Sequence, residues 1–264
     1  MKKLLFAALL VSCATIPQAQ VPSLQEGIKQ LQNENYAAAL TTFNGIAKSD
    51  PKNGTIYFYI GEVSYLTDVP AEAEKAYKKG LPINPQCAEC KVGLGKLMLD
   101  QGKAVEAEEF FQSASKLDKK NPDIFAKIGE AYLSNKKPNG NKAVEYLSIA
   151  RDMNPSVAKY WALLGDAYEL TGEHGEAMTC YETAIKKDPT ISSAYISMAR
   201  IWTKAKQDSL AIPLLEKAIE LSPNDAQPYK YLIELYIKNG KYAKVTPLLD
   251  KYVSLSGDDV DAKV

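Results

Sequence analysis

The chain has 264 residues, of which 46% are apolar and 24% are charged, a composition typical of a folded protein rather than a disordered one. Lysine and arginine number 32 together, and aspartate and glutamate also number 32, so no basic excess is present to neutralise a nucleic-acid backbone. Nucleic acid is therefore not expected as a partner.

The first twenty residues have the layout of a secretory signal peptide. Residues 1–3 are Met-Lys-Lys, residues 4–11 form an apolar run, and small and polar residues lead to Ala19 and Gln20. The apolar run is too short to cross a bilayer, which needs roughly 20 apolar residues. We therefore expect a signal peptide over residues 1–20, cleaved near Ala19 or Gln20.

A second interpretation of the same region involves Cys13. Residues 10–13 read Leu-Val-Ser-Cys, which resembles a bacterial lipobox, and Cys13 would then carry a lipid anchor at the mature N-terminus. Both interpretations predict an exported protein, periplasmic or associated with the outer envelope, and the second makes it a membrane-anchored lipoprotein. No transmembrane segment is expected in the mature chain, because no later stretch is long and apolar enough.

Residues 21–257 repeat with a period of 34 residues, interrupted by one interval of 36. A small residue recurs at Gly27, Gly61, Gly95, Gly129, Gly165 and Ala199. A second small residue follows the same schedule at Ala39, Ala73, Ala107, Ala143, Ala177 and Ala211. Four positions after each alanine stands a large apolar or aromatic residue, at Phe43, Tyr77, Phe111, Leu147, Tyr181 and Leu215.

These sizes suit the packing of one helix on another. A glycine in the first helix lets the second helix approach closely, and the large residue of the second helix fills the space beside it. Prolines such as Pro155 and Pro189 stand where the second helix must end, since proline restricts the residue before it. Each unit is therefore predicted to be a helical hairpin that buries its apolar face only by stacking on its neighbours.

The unit over residues 158–191 carries the residue types of a known signature, at Trp161, Leu164, Gly165, Tyr168, Ala177, Tyr181, Ala184 and Pro189. In this pattern the chain resembles the tetratricopeptide repeat (TPR) family, of the exported bacterial type. The resemblance implies an all-α fold, a right-handed superhelical solenoid of stacked antiparallel helix pairs. Seven repeats fit, starting near residues 20, 54, 88, 122, 158, 192 and 226.

The two ends of the array depart from the pattern. The first repeat has Ser23 and Glu26 where large residues are expected, as suits a terminal unit that faces water. The seventh has Ile233, Val245 and Tyr252 in place of small residues, which puts its close packing in doubt. Residues 258–264 are interpreted either as a tail or as the start of a truncated eighth repeat.

Cys87 and Cys90 are spaced as a redox pair near the start of a predicted helix. No strand pattern surrounds them, as a thioredoxin-like fold would require, and Lys91 follows where common haem attachment needs histidine. In an oxidising compartment we expect a structural disulfide, with free thiols and a redox-active pair as the alternatives.

The sequence contains no recognisable catalytic or cofactor-binding set. Its single histidine, His174, lies in a turn between predicted helices, and neither a phosphate-binding glycine loop nor a zinc-binding pattern is present. We therefore expect no enzymatic activity, no cofactor and no metal.

By resemblance, a TPR array binds ligands on its concave surface, at positions 2, 5, 9, 12 and 13 of each first helix. The apolar candidates at these positions are Phe58, Tyr65, Val92, Leu99 and Leu133. In repeats two to five the acidic candidates are Glu62, Glu89, Asp100, Asp123, Glu130, Asp166 and Glu169, opposed by Lys96 and Lys159. In repeats six and seven the basic candidates are Arg200, Lys204, Lys230 and Lys238, opposed by Glu234. This order predicts a bipolar groove, with chance clustering of charge on a solvated surface as the alternative.

The function predicted from these observations is that of a non-catalytic interaction scaffold or adaptor of the bacterial cell envelope, which binds a protein or peptide in its concave groove. One alternative is a structural subunit of a larger envelope assembly, in which a missing C-terminal part of the same protein fills the groove. Another is a thiol-disulfide enzyme that uses Cys87 and Cys90.

Overall fold

In the computed structural model, which describes residues 23–256, the chain forms fourteen α-helices, one short 3₁₀ helix and no strand within those residues. The first three pairs are α1 Leu24–Gln32 with α2 Tyr36–Ser49, α3 Ile56–Leu66 with α4 Pro70–Ile83, and α5 Ala88–Asp100 with α6 Ala104–Leu117. The next two are α7 Pro122–Ser134 with α8 Gly140–Met153, and α9 Ala158–Thr171 with α10 His174–Lys187. The last two are α11 Ser192–Lys204 with α12 Asp208–Leu221, and α13 Ala226–Lys238 with α14 Val245–Ser256, the latter preceded by the 3₁₀ turn Tyr242–Lys244.

The helices begin and end at residues suited to those places. The side chain of Asn139 accepts a hydrogen bond from the Lys142 backbone N–H at 3.1 Å and caps α8, while Pro122 opens α7 where no backbone donor is needed. The expected signal peptide, the Cys13 lipobox and residues 258–264 lie outside the described residues. Within the described part, no helix combines the length and apolar character required to cross a membrane.

The predicted size complementarity between the two helices of a repeat is confirmed. A Cβ atom added at Gly95 would lie 2.4 Å from Cε1 of Phe111, and one added at Gly165 would lie 2.5 Å from Cε1 of Tyr181. Gly27, Gly61 and Gly129 meet Phe43, Tyr77 and Leu147 in the same way. The large side chains are completely buried, so this contact is the centre of each hairpin.

In six of the seven repeats, the turn between the two helices contains a residue in the left-handed region. Glycine supplies it in repeats three, five and seven, with φ of 76° at Gly102, 85° at Gly172 and 67° at Gly240. Other residues supply it in repeats one, two and six, with φ of 58° at Glu34, 57° at Asp68 and 59° at Lys206. Because such a conformation costs a non-glycine residue roughly 1–2 kcal/mol, the packing of the helix pair, rather than local preference, imposes this turn.

The stacking of repeats gives the array an inner and an outer face. Each second helix packs on the first helix of the next repeat, and successive first helices also contact one another, as α3 does α5 and α5 does α7. Among the described residues, successive second helices make no comparable contact. The first helices therefore line the concave side and the second helices the convex side, so the predicted all-α solenoid of antiparallel helix pairs is confirmed.

The ends of the array pack less tightly than its centre. Ser23 and Glu26 are exposed, and α14 contains no fully buried side chain, although Val245 and Leu248 pack partly against the core of repeats six and seven. Between these ends, the buried residues of neighbouring repeats join into a series of apolar clusters that follows the array.

Candidate functional site

The concave side holds three cavities that follow one another along the array. The first, of ≈ 310 Å³, is lined from repeats two to five by Phe58, Tyr59, Glu62, Leu66, Val92, Gly93, Lys96, Lys127, Glu130, Ala131 and Lys159, and from α1 by Ile28 and Leu31. The second, of ≈ 820 Å³, is lined by Glu130, Leu133, Ser134, Pro138, Leu163, Asp166, Glu169, Leu170, Ser193, Ile196, Ser197, Arg200, Lys204 and Gln227. The third, of ≈ 410 Å³, is lined by Ala199, Arg200, Thr203, Lys204, Leu215, Tyr231, Glu234, Leu235 and Lys238.

Position 9 of the first helix lines this groove in all six repeats from two to seven, as the candidate residues Glu62, Lys96, Glu130, Asp166, Arg200 and Glu234. Position 6 also lines it in all six, as Tyr59, Gly93, Lys127, Leu163, Ser197 and Tyr231, yet it was not among the predicted positions. Positions 2, 6, 9 and 13 are spaced by three or four residues and share one helix face, so helical periodicity alone could have found position 6.

Some predicted groove residues do not line these cavities: Tyr65, Glu89, Leu99, Asp100, Asp123 and Lys230. The hydroxyl of Tyr65 donates to Asp100 at 2.7 Å, and the hydroxyl of Tyr160 donates to Asp123. These four side chains therefore connect neighbouring repeats. Phe58 and Val92 do line the first cavity, but as a buried floor with exposures of only 6% and 4%.

The acidic residues of repeat five are engaged by the protein itself. Asp166 accepts hydrogen bonds from the hydroxyls of Tyr181 at 2.7 Å and Ser197 at 3.2 Å. Glu169 accepts from Arg200 at 2.6 Å and from Lys204 at 2.7 Å. The predicted acidic and basic zones thus meet at ion pairs between repeats five and six, and these charges are partly neutralised before any ligand binds.

The two carboxylates have opposite pKa shifts. Burial raises the pKa of Asp166, an effect that the hydrogen bonds from Tyr181 and Ser197 only partly oppose. Burial would also raise the pKa of Glu169, but Lys204 and Arg200 outweigh it and hold that pKa below its usual value. Both shifts follow from contacts within the protein.

Cys87 and Cys90 lie at the junction of repeats two and three. Cys87 is the N-cap of α5, the two sulfur atoms are 2.11 Å apart, and the residues are 1% and 0% exposed. A Cβ atom added at Gly80 would lie 2.8 Å from the Cys90 sulfur. Because a redox-active cysteine must be reachable by its substrate, this burial argues against a thiol-disulfide enzyme. No group of three potential metal ligands from His, Cys, Asp or Glu occurs in residues 23–256.

This fold can be compared with those of known families, by its glycine packing, its stacked helix pairs and its groove-lining first helices. The family described as Tetratricopeptide repeat matches residues 24–86 and residues 158–191. The chain is a tetratricopeptide repeat protein.

Several relatives share these repeats at low identity. Tetratricopeptide repeat protein 6 of Homo sapiens is 29% identical over 140 residues, which cover 53% of this chain and 26% of that protein. The interferon-induced protein with tetratricopeptide repeats 2 of Mus musculus is 27% identical over 165 residues, or 60% of this chain and 35% of the relative. A TPR repeat-containing protein of Methanocaldococcus jannaschii is 20% identical over 230 residues, or 72% of this chain and 40% of the relative. The chain thus spans less than half the length of these relatives.

Two solved structures show the same fold. The APC/C hetero-tetramer Cut9–Hcn1 matches with a TM-score of 0.64 and 15% identity, covering 89% of this chain and 46% of that one. The C-terminal part of a TPR repeat-containing protein from Cytophaga hutchinsonii matches with a TM-score of 0.50 and 21% identity, covering 91% of this chain and 97% of that one. At these identities the similarity concerns the fold alone.

Proposed function

We propose that this TPR protein is a non-catalytic adaptor of the bacterial cell envelope that binds a peptide segment of a partner protein in its concave groove. The observation that carries the proposal is the continuous lining of the groove by positions 6 and 9 of six successive first helices. An extended segment could contact each repeat in turn along such a surface.

The chemistry of the groove suits a peptide that carries both apolar and charged side chains. Leu163, Ile196 and Leu170 provide apolar surface in the second cavity, beside the charged Glu130 and Lys204. Apolar contacts would supply binding energy, and the charged groups around them would select register and partner.

A pair of matched variants tests the use of the groove. Leu170 is 47% exposed and lines the second cavity, whereas Val105 is 73% exposed at the start of α6 on the convex side. Peptides selected from a displayed random library on the parent chain should bind Leu170→Glu at least about tenfold more weakly, a loss of roughly 1.4 kcal/mol. Binding to Val105→Glu should equal that of the parent. Equal binding by all three chains, or failure of the selection to yield any peptide, would contradict peptide binding in the groove.

The envelope location is proposed from residues 1–20 and needs its own measurement. Expression of the full chain in a bacterium, followed by fractionation and labelling with a radioactive fatty acid, separates the two export interpretations. Label on the parent that is absent from Cys13→Ser would support the lipoprotein. A shortened, unlabelled periplasmic chain would support cleavage near Ala19, and a chain that stays in the cytoplasm would contradict both.

A further inference from the structure

The last helix of the array, α14, has one side that the described part of the chain leaves uncovered. Leu249 stands at the repeat position that Leu215 occupies in α12 and Tyr181 in α10, and both of those side chains are 0% exposed. Leu215 is covered by the following first helix, since it shares a buried cluster with Leu232 of α13. Leu249 is 38% exposed, because no helix within residues 23–256 follows α14.

The uncovered side continues along α14 as an apolar stripe. Val245, Leu249 and Val253 are four residues apart and therefore lie on one face, and Tyr252 lies beside them. Val253 is 42% exposed, Val245 and Tyr252 are partly exposed, and Tyr242, just before the helix, is 66% exposed. Large apolar side chains grouped in this way on one surface mark an interaction site.

The opposite end of the array has no matching apolar surface. Ser23 and Glu26 are exposed there, at the repeat positions where α3 carries Tyr57 and Ile60. Head-to-tail stacking of two copies would place the carboxylate of Glu26 against the stripe around Leu249, which is unfavourable for a charged group. A second copy therefore fits α14 only through its own α14.

The charges around α14 favour an antiparallel orientation of such a pair. Lys241 and Lys244 are exposed just before the helix, and its first turn contains no acidic residue. Asp258 and Asp259 follow the helix in the sequence. A helix dipole favours the reverse order, acidic before basic, which α6 and α10 both show. In an antiparallel pair, the lysines of each copy lie beside the C-terminal end of the other helix and the acidic residues after it.

We propose that two copies of this chain associate through α14, with the two helices antiparallel and Leu249 at the two-fold axis. Val245 of one copy then lies opposite Val253 of the other, because each is four residues from Leu249. A single helix pair is at the small end of specific interfaces, so we expect dissociation in the micromolar range. The interface does not include the first helices that line the groove, so the pair carries two grooves.

Sedimentation velocity of the full chain, from about 1 to 500 μM, tests the association. The parent should change from monomer to dimer over this range. Leu249→Glu and Val253→Glu should each weaken the association at least about 100-fold, because the introduced carboxylate is buried twice, once in each copy. The matched control is Val105→Glu on the convex side, at a residue that is 73% exposed, and it should associate like the parent. Circular dichroism checks that each variant is folded.

Cysteine variants test the orientation. After mild oxidation, a mixture of Val245→Cys and Val253→Cys chains should give crosslinked dimers well above the level of the parent. Either variant alone should not, because the two copies of residue 245 would be separated by eight residues, or roughly 12 Å, along the helix pair.

A parent chain that stays monomeric up to about 500 μM overturns the inference, and α14 is then left to residues beyond 256 or to a different protein. Dimers that persist in both Leu249→Glu and Val253→Glu overturn it as well, since the interface must then lie elsewhere. Crosslinking of Val245→Cys with itself rather than with Val253→Cys refutes the antiparallel arrangement.

Discussion

A methyl group added at Gly95 should destabilise the third repeat. The new Cβ would lie 2.4, 2.7 and 2.9 Å from three ring carbons of Phe111, whereas carbon atoms in contact are normally about 3.5–4.0 Å apart. The ring is completely buried and would have to move by roughly 1 Å into packed neighbours. Such overpacking lowers the free energy of unfolding by about 1–3 kcal/mol, and the better helix propensity of alanine offsets up to about 1 kcal/mol of this loss. We expect the free energy of unfolding to fall by about 1–2 kcal/mol.

The sixth repeat suggests a second-site change that should relieve the clash. There the first helix carries Ala199 in place of glycine, and the second helix carries Leu215 in place of an aromatic residue, within one buried cluster. Phe111→Leu alone should cost about 1 kcal/mol through lost apolar contact. Combined with Gly95→Ala, it should cost at least about 1 kcal/mol less than the sum of the two single changes, because the smaller side chain leaves room for the methyl group.

Urea unfolding followed by circular dichroism measures all of these chains, with Gly175→Ala as the matched control. No atom lies within 4 Å of a Cβ placed at Gly175, which is the second residue of α10, so this change should leave stability equal or raise it by up to about 0.5 kcal/mol. Equal stability of Gly95→Ala and Gly175→Ala would refute the reasoning. So would strict additivity of Gly95→Ala with Phe111→Leu.

Two further predictions concern the contacts between repeats. Glu169→Gln should lower the free energy of unfolding at pH 7 by about 1–2 kcal/mol, a value reduced by the exposure of Arg200 and Lys204. Because the folded pKa of Glu169 is lowered, this contribution is complete above the usual carboxyl value of 4.5 and is lost as the pH falls through the folded pKa. Urea titrations from pH 7 to about pH 3 should therefore show parent and variant converging in acid, and a constant difference would contradict the ion pairs. If Cys87 and Cys90 form the expected disulfide, the double change to serine should cost about 2 kcal/mol for a loop of this length, and a reducing agent should lower the stability of the parent only. Alkylation of both cysteines in the unreduced, denatured parent would show free thiols instead.

The fold class could be predicted because a solenoid is built from local rules. The recurrence of Gly95 and Phe111 across repeats encodes a contact between helices that are adjacent in the chain, and its partners can be found by counting residues. The resemblance to TPR arrays, rather than counting, supplied position 9 of the groove. It missed position 6, although Tyr59 and Lys127 follow the same period, because position 5 was assumed to face the ligand in its place.

The charges of the groove could not be predicted in the same way. Glu169 meets Arg200 and Lys204, and Tyr65 meets Asp100, across the interface between one repeat and the next. Which side chains come within hydrogen-bonding distance there depends on how far each repeat rotates against its neighbour, a quantity that the periodicity of the sequence does not contain. Counting the charges at the candidate positions along the sequence therefore missed two features. One is the set of ion pairs that partly neutralises the carboxylates of repeat five, and the other is the excess of lysine in the first cavity.

The sequence by itself determined the repeat, the helix pairs and the buried glycine-to-aromatic contacts, because each depends on residues that are near one another in the chain and complementary in size. Only the tertiary structure decided which side chains share a cavity, which charges are already paired and whether the sulfur atoms of Cys87 and Cys90 can be reached. Those properties depend on the stacking of successive repeats, since a side chain is exposed or covered according to where the next first helix lies.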